Sequence, residues 1–143
     1  MKKLKENFLF LCDNAFQGEN KKLSIIGIFK VIFSPKFPFT HLKSTLVGNF
    51  DVVDTELKEL EISVDLVDDK NNPVGLSLPP IKLPIPIKKD KKKRAINFIL
   101  EIGNLKFQKD GRYKFIIKAD SEKVGETSFE VIKKSLNKKQ NLN

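Results

Sequence analysis

Apolar and polar side chains alternate along most of this chain. In "LEISVDLV" (60–67), leucine, isoleucine and valine occupy every second position, with glutamate, serine and aspartate between them. The same period of two recurs in 46–52, 96–102 and 113–119. This period is typical of strands that bury one face and expose the other to solvent, as strands of antiparallel sheets commonly do.

The alternation predicts about eight strands, joined by short connectors rich in aspartate, asparagine, glycine and proline. They fall at roughly 7–12, 23–33, 44–53, 58–68, 74–78 (continuing weakly towards 87), 94–102, 111–120 and 123–132. Because no helical pattern of useful length occurs, we predict an all-β fold, an antiparallel β-sandwich of about eight strands. We expect one domain, 1–143, with flexible basic tails at 1–6 and 133–143.

A Gly-x-Tyr step near the end of the chain refines this fold. In "FQKDGRYKF", Tyr113 follows Gly111 and opens a run of alternating apolar residues. Many immunoglobulin-like sandwiches enter a late strand in this way, with a buried tyrosine hydroxyl tied to an upstream backbone group. We therefore predict an immunoglobulin-like fold and a structural role for Tyr113.

The most apolar stretch is "LSIIGIFKVIFSPKFPFTH" (23–41). Its first half reads as a strand that is apolar on both faces, and its proline-broken second half as a crossing between sheets. A strand of this kind is either central and covered on both sides, or presents one face to a partner. The candidate interaction surface comprises Ile26, Ile28, Ile32, Phe37, Phe39 and His41.

The proline-rich segment "SLPPIKLPIPIKK" (77–89) allows two interpretations. It could be a polyproline ligand for an aromatic groove. We favour an edge strand or connector, because proline cannot donate to a strand ladder and blunts edge pairing.

The net charge of +9 is concentrated in 1–6, 88–94 and 133–143, and the other residues together are near neutral. A basic loop in the second of these segments could bind phosphates without sequence specificity. Its residues are Lys88, Lys89, Lys91, Lys92, Lys93 and Arg94. The chain has only two arginines, however, and no aromatic face among its basic residues, which disfavours a nucleic-acid role.

The candidates for catalysis are few. Cys12 and His41 could form a nucleophile and base, with Asp13 and Phe37 nearby in a small-ligand or enzyme site, but no signature motif accompanies them. The turn "DLVDDKNNP" (65–73) lacks the glycine and distal glutamate of a calcium loop. We therefore predict a non-enzymatic protein with no cofactor and no metal site.

The N-terminus "MKKLKENFLFLC" resembles a signal segment only superficially. Its apolar run covers Phe8 to Leu11, which is shorter than the roughly 7–15 residues of a secretory h-region. No stretch approaches the roughly 18 apolar residues of a membrane span. We expect a cytoplasmic protein without a membrane association.

Three segments together carry a family resemblance: "FLFLCDNAF", "KLSIIGIFKVIFSPKFPFTH" and the hairpin "GRYKFIIKAD…VGETSFEV". The chain resembles DUF6941, a bacterial domain-of-unknown-function family, over nearly its whole length. The sequence departs from the family pattern at Lys21, where glycine is usual, and at Lys30, where an acid is usual. The resemblance implies no known activity.

These observations leave three hypotheses. We favour a small binding or accessory module that acts through a protein partner or through self-association. The alternatives are a nucleic-acid-associated protein that uses the basic loop, and a small-ligand binder or enzyme with a site near Cys12 and His41.

Overall fold

The computed structural model describes residues 3–54, 56–75, 78–85 and 94–135, and nearly all of them lie in strands or turns. These described residues form nine strands: β1 (Leu4–Gln17), β2 (Leu23–Ile28), β3 (Val31–Ser34), β4 (Phe39–Val52), β5 (Glu59–Asp68), β6 (Ile81–Pro84), β7 (Arg94–Phe107), β8 (Gly111–Ala119) and β9 (Glu122–Lys133). One 3-10 turn (Glu19–Lys21) joins β1 to β2. The predicted all-β class is confirmed.

The strands form two sheets. The first has the order β2-β1-β4-β7 and the second the order β3-β9-β8-β5-β6. All pairs are antiparallel except β3 with β9, which run parallel. One apolar core lies between the sheets, and Leu46 and Phe50 of the first sheet meet Leu60, Phe115 and Val131 of the second there. Because side chains alternate along each strand, each sheet turns one apolar face toward this core.

Aromatic rings fill one part of this core. Phe107 and Tyr113 pack edge to face at 4.9 Å between centroids, and Phe129 stacks on Phe115 at 5.5 Å. The Tyr113 hydroxyl donates a 2.6 Å hydrogen bond to the Lys109 carbonyl oxygen. The predicted tie to an upstream backbone group is therefore present.

The predicted strand at 23–33 is wrong in one respect. The chain leaves the first sheet after Ile28, passes through Phe29 and Lys30, and enters the second sheet as β3. Periodicity reports which side chains alternate, but it does not report a change of sheet. The stretch consequently forms two edge strands in different sheets instead of one continuous strand.

Other strand boundaries also differ from the prediction, and β4 begins at Phe39 instead of near residue 44. β1 and β7 both run further than expected, and Leu4, assigned to a basic tail, is fully buried in the core. The predicted strand at 74–78 is replaced by a single bridge between Val67 and Pro73 in the part that the structure describes. The proline-rich segment supplies β6 at the edge of the second sheet, as we favoured.

Candidate protein-docking site on the β1–β2 arm

A hairpin made of residues 13–28, which we call the arm, projects from the first sheet and folds across its outer face. The arm contains the end of β1, the 3-10 turn and β2. Its side chains Ala15, Leu23 and Ile25 pack on Cys12 and Val47, which lie outside the main core. This second, smaller apolar cluster holds the arm against the sheet.

A chain of side-chain amides fixes the tip of the arm. Asn97 of β7 donates to the Gln17 side-chain oxygen at 2.9 Å and to the Lys21 carbonyl at 3.1 Å. Asn97 in turn accepts from Asn49 of β4 at 2.8 Å, and Asn49 accepts from Asn7 at 2.8 Å. Because β4 separates β1 from β7 in the sheet, the first contact requires the arm to lie over the sheet face.

Gly27 and Asp13 mark the point at which the arm bends. Gly27 has φ +70°, a left-handed conformation that glycine adopts without steric cost. The Asp13 carboxylate occupies the space that a side chain at position 27 would need, since its Cγ lies 2.8 Å from an ideal Cβ there. The arm therefore has a left-handed residue and a close side-chain approach at the same position.

The outward side of the arm is apolar and exposed. Ile26, Ile28 and Phe16 are 53%, 52% and 50% exposed. Phe16 pairs with Ser24 across the hairpin, and Asn14 pairs with Ile26, so Phe16 and Ile26 are diagonal neighbours on one face. The described part of the chain therefore leaves this side uncovered.

The sheet ends at β2, which pairs with β1 alone among the described strands. The Gly18 amide donates to the Lys22 carbonyl at 2.8 Å, and because hydrogen-bonded pairs alternate in an antiparallel ladder, Ser24 and Ile26 direct their backbone groups at β1. The amides and carbonyls of Leu23 and Ile25 consequently point away from the sheet, and this alternation does not continue through the left-handed Gly27. No charged side chain lies within Leu23–Ile28, whereas the exposed Lys22 and Lys30 flank it.

The structure divides the candidate interaction surface into two parts. Ile26 and Ile28 are exposed, as an interaction surface requires. Ile32 is 5% exposed and belongs to the core, and Phe37 and Phe39 pack against that core. The physical reason is the change of sheet after Ile28, which turns Ile32 inward although it continues the apolar stripe.

His41 is the sixth residue of that surface and lies half-buried between rings. Its ring centroid lies 5.9 Å from that of Phe29 and 6.3 Å from that of Phe39. Burial lowers the His41 pKa, while a hydrogen bond with the Lys43 backbone and the charge of Asp13 act in the opposite direction. His41 therefore favours the neutral form and packs as an apolar ring.

Cys12 has the environment of a structural thiol. It is fully buried, and its Sγ donates to the Thr45 carbonyl at 3.5 Å and the Asn14 carbonyl at 3.4 Å. Burial raises the pKa of the Cys12 thiol, and a protonated thiol is a poor nucleophile. No hydrogen bond joins Cys12 to His41 among the residues that the structure describes, so the geometry gives a nucleophile–base pair no support.

Arg94 is the member of the basic loop that the structure describes, and its contacts give it a structural role. It is 6% exposed, and its guanidinium donates to the carbonyls of Leu57 at 2.9 Å and Asp54 at 2.8 Å. The other candidates of that loop, Lys88, Lys89, Lys91, Lys92 and Lys93, lie outside the described residues.

One cavity of about 620 Å³ opens at the end of the core, where Leu66, Leu105 and Tyr113 form an apolar floor. Asp68 and Lys109 are among the polar residues at its wall. Among the described residues, no group of three or more His, Cys, Asp or Glu side chains is arranged to hold a metal ion. In the same part of the chain, no helix is long and apolar enough to cross a membrane.

The sequence of residues 7–132 matches the model of DUF6941, described as a family of unknown function. The chain belongs to DUF6941. The predicted resemblance is therefore confirmed over the segments that carry the arm and the core. None of the curated proteins matches this member of the family.

Two solved structures show a distant likeness to this DUF6941 chain. One is the Pseudomonas fluorescens alkylpurine DNA glycosylase AlkC bound to DNA containing an abasic site analog, at 11% identity and a TM-score of 0.44. The likeness covers 90% of this chain and 30% of AlkC. The other is the PmoD soluble domain from a Methylocystis species, at 14% identity and a TM-score of 0.35, covering 90% of this chain and 97% of that domain.

Sequence reasoning missed Phe16 because β1 was expected to end near residue 12. A usable signal was present. Residues 14–17 and 23–26 flank a turn-rich segment, "GENKK", which is the arrangement of a hairpin.

Proposed function

We propose that this DUF6941 chain is a small non-enzymatic binding or accessory module of the bacterial cytoplasm, which acts through a protein that docks on the arm. In this proposal it is one immunoglobulin-like domain that presents the arm to its partner. The observation that carries the proposal is that Ile26 and Ile28 are half exposed on β2, an edge strand that pairs with β1 alone among the described strands.

Exposed apolar side chains are ordinary when they are scattered singly over a surface. Here Phe16 and Ile26 are neighbours, Ile28 follows two residues along the same strand, and that strand is the edge of its sheet. An apolar patch on an edge strand suits a protein partner, since it offers burial of the side chains and hydrogen bonds to the outward backbone groups of Leu23 and Ile25.

The arm is also held in place before any partner arrives. The cluster around Cys12 and Val47 and the Asn97–Gln17 hydrogen bond fix its position on the sheet. A preformed surface loses less conformational entropy on binding than a mobile hairpin would.

Site-specific photo-crosslinking tests the proposal. We would introduce a benzoyl-phenylalanine in place of Ile26 in the full chain and irradiate living cells of the native host. A matched control carries the same photo-reactive residue in place of Val53, which is equally exposed (49%) at the far end of β4. We expect a discrete adduct with a protein from position 26 and none from position 53. Equal adduct patterns from both positions, or none from either, would refute docking at the arm.

A further inference from the structure

The cavity at the end of the core is a concave feature that is separate from the arm. It has a volume of about 620 Å³ and is lined by the ends of β5 and β7, by Tyr113 and by residues 73–75. Cavities of about 300–1,000 Å³ are typical of small-ligand sites. None of the described residues that line it belongs to the arm, so its chemistry is independent of docking there.

The floor of the cavity is apolar. Leu66, Leu105 and Tyr113 line it and are buried, and Val74 lines it while packing against the same core. An apolar body that rests on this floor is stabilised, since its surface and that of the floor leave water together. A wholly polar ligand gains nothing from the floor.

The wall of the cavity carries charges of both signs. Lys106 and Lys109 line it at the end of β7, and Asp68 lines it at the end of β5. Among the described residues, no ion pair joins either lysine to an acidic side chain. A simple anion in the cavity meets the repulsion of Asp68, and a simple cation meets that of the lysines. A ligand that carries both charges avoids these repulsions.

The turn that follows β5 fixes Asp68 in its ionised form. The backbone amides of Lys70 and Asn72 both donate to its Oδ1 at 2.9 Å. The hydrogen bond from Asn72 is the main cause of a lowered Asp68 pKa; burial opposes it, and Lys70 and the charge of Lys109 act with it. A carboxylate has about four acceptor positions, so Asp68 retains capacity for a ligand ammonium group.

The backbone of Lys109 is fixed from the core. The Tyr113 hydroxyl donates to the Lys109 carbonyl oxygen at 2.6 Å, and the Tyr113 ring packs edge to face on Phe107. Both charged parts of the wall are therefore positioned by contacts within the chain. A site formed in advance loses less conformational entropy when its ligand binds.

We propose that this cavity binds a small zwitterion with an apolar body, as a short apolar peptide with free ends provides. The ligand ammonium group lies at Asp68, its carboxylate lies at Lys106 and Lys109, and its side chains rest on the apolar floor. A dipeptide of two large apolar residues combines these three features in one small molecule. The cavity thus adds a ligand site to the docking surface of the arm.

Binding of the dipeptide Leu-Phe to the full chain tests the proposal. Two-dimensional NMR of the isotope-labelled chain locates the site, and a titration gives the affinity. We expect the shifts to concentrate at the residues that line the cavity, including Asp68, Lys109 and Tyr113. N-acetyl-Leu-Phe lacks the ammonium group and Leu-Phe amide lacks the carboxylate, and each should bind about three- to tenfold more weakly. Ser-Ser keeps both charges without an apolar body and should bind more weakly still.

Variants of the chain assign each charge of the ligand to its partner. Asp68→Asn keeps a side-chain oxygen for the turn amides but removes the charge, so it should abolish the preference for Leu-Phe over its N-acetyl form. The double variant Lys106→Met and Lys109→Met should abolish the preference for Leu-Phe over its amide. Lys58→Met is the control, since Lys58 is exposed and lies before the opposite end of β5, and it should leave both preferences unchanged. Circular dichroism confirms that each variant is folded.

Three results would overturn the proposal. The first is the absence of shifts at the cavity with millimolar Leu-Phe. The second is equal binding of the free, acetylated and amidated forms, because the site would then recognise apolar surface alone. The third is that Asp68→Asn and the lysine variant leave both preferences unchanged. Crosslinking from position 26 should be the same in all these variants, so failure of the cavity proposal and failure of docking at the arm are distinguishable.

Discussion

The molecule buries apolar side chains in two places that differ in size and in consequence. The core between the sheets is closed on both sides, and its largest members, such as Phe107 and Phe115, have no solvent exposure. The cluster under the arm is small, closed on the sheet side and open on the other, where Phe16 and Ile26 meet solvent. The first cluster therefore determines the stability of the fold, whereas the second positions a surface.

The largest difference in the free energy of unfolding is expected between substitutions of two phenylalanines, one in the core and one in the arm. Phe115→Ala empties a site in the core and should lower the free energy of unfolding by about 3–5 kcal/mol. Phe16→Ala removes a half-exposed ring from the arm and should change it by no more than about 0.5 kcal/mol. Urea unfolding of both variants measures the difference. Similar losses would show that the arm is an integral part of the core.

Gly27 tests whether the bend of the arm is a separate structural element. Gly27→Ala places a side chain at φ +70° and against the Asp13 carboxylate, so we expect a loss of about 1–3 kcal/mol. Hydrogen exchange should show the loss in the β2 amides before those of β8. Gly18→Ala is the control, since Gly18 has ordinary backbone angles and a Cβ there would make only an ordinary contact, 3.9 Å from the Lys22 carbonyl oxygen. Adding Asp13→Ala to Gly27→Ala should recover the part that is due to the clash.

Much of the core could be predicted because it depends on local alternation. The period of two around Leu60–Leu66 places those side chains on one buried face, and the structure buries all four. The Gly-x-Tyr step likewise predicted the hydroxyl contact of Tyr113 because that contact is formed within four residues. Each of these two sequence patterns lies within the segment whose structure it predicts.

The arm could not be predicted in the same way, because its geometry depends on where the chain bends. The left-handed residue Gly27 and the close approach of Asp13 carry the hairpin over the sheet, and neither alters the apolar pattern. The crossing at Phe29–Lys30 separates Ile28 from Ile32, although both continue one stripe. Sequence periodicity thus identified the apolar residues of 23–33 but assigned them to one strand.

Removal of the Tyr113 hydroxyl should lower the stability of the core by an intermediate amount. Tyr113→Phe keeps the ring between Phe107 and Phe129 but removes the donor to Lys109, so the loss should be about 1 kcal/mol. Thermal unfolding measures this loss, and crosslinking from position 26 should not change. Weakened crosslinking in this variant would mean that the arm and the core are coupled.

The smallest effect concerns the junction between the two regions, where His41 packs against the crossover residue Phe29. Because burial lowers the His41 pKa below 6.5, the unfolded chain takes up a proton at a higher pH than the folded chain does. Stability is thus fully present above pH 6.5 and declines as the pH falls through that value. His41 is the single histidine of the chain, and ordinary carboxyl groups titrate near pH 4, so it dominates between pH 7 and 5. The variant His41→Gln should flatten the pH dependence of urea unfolding in that window. An unchanged slope in this variant would mean that the junction is open to water, and that the core does not extend to the base of the arm.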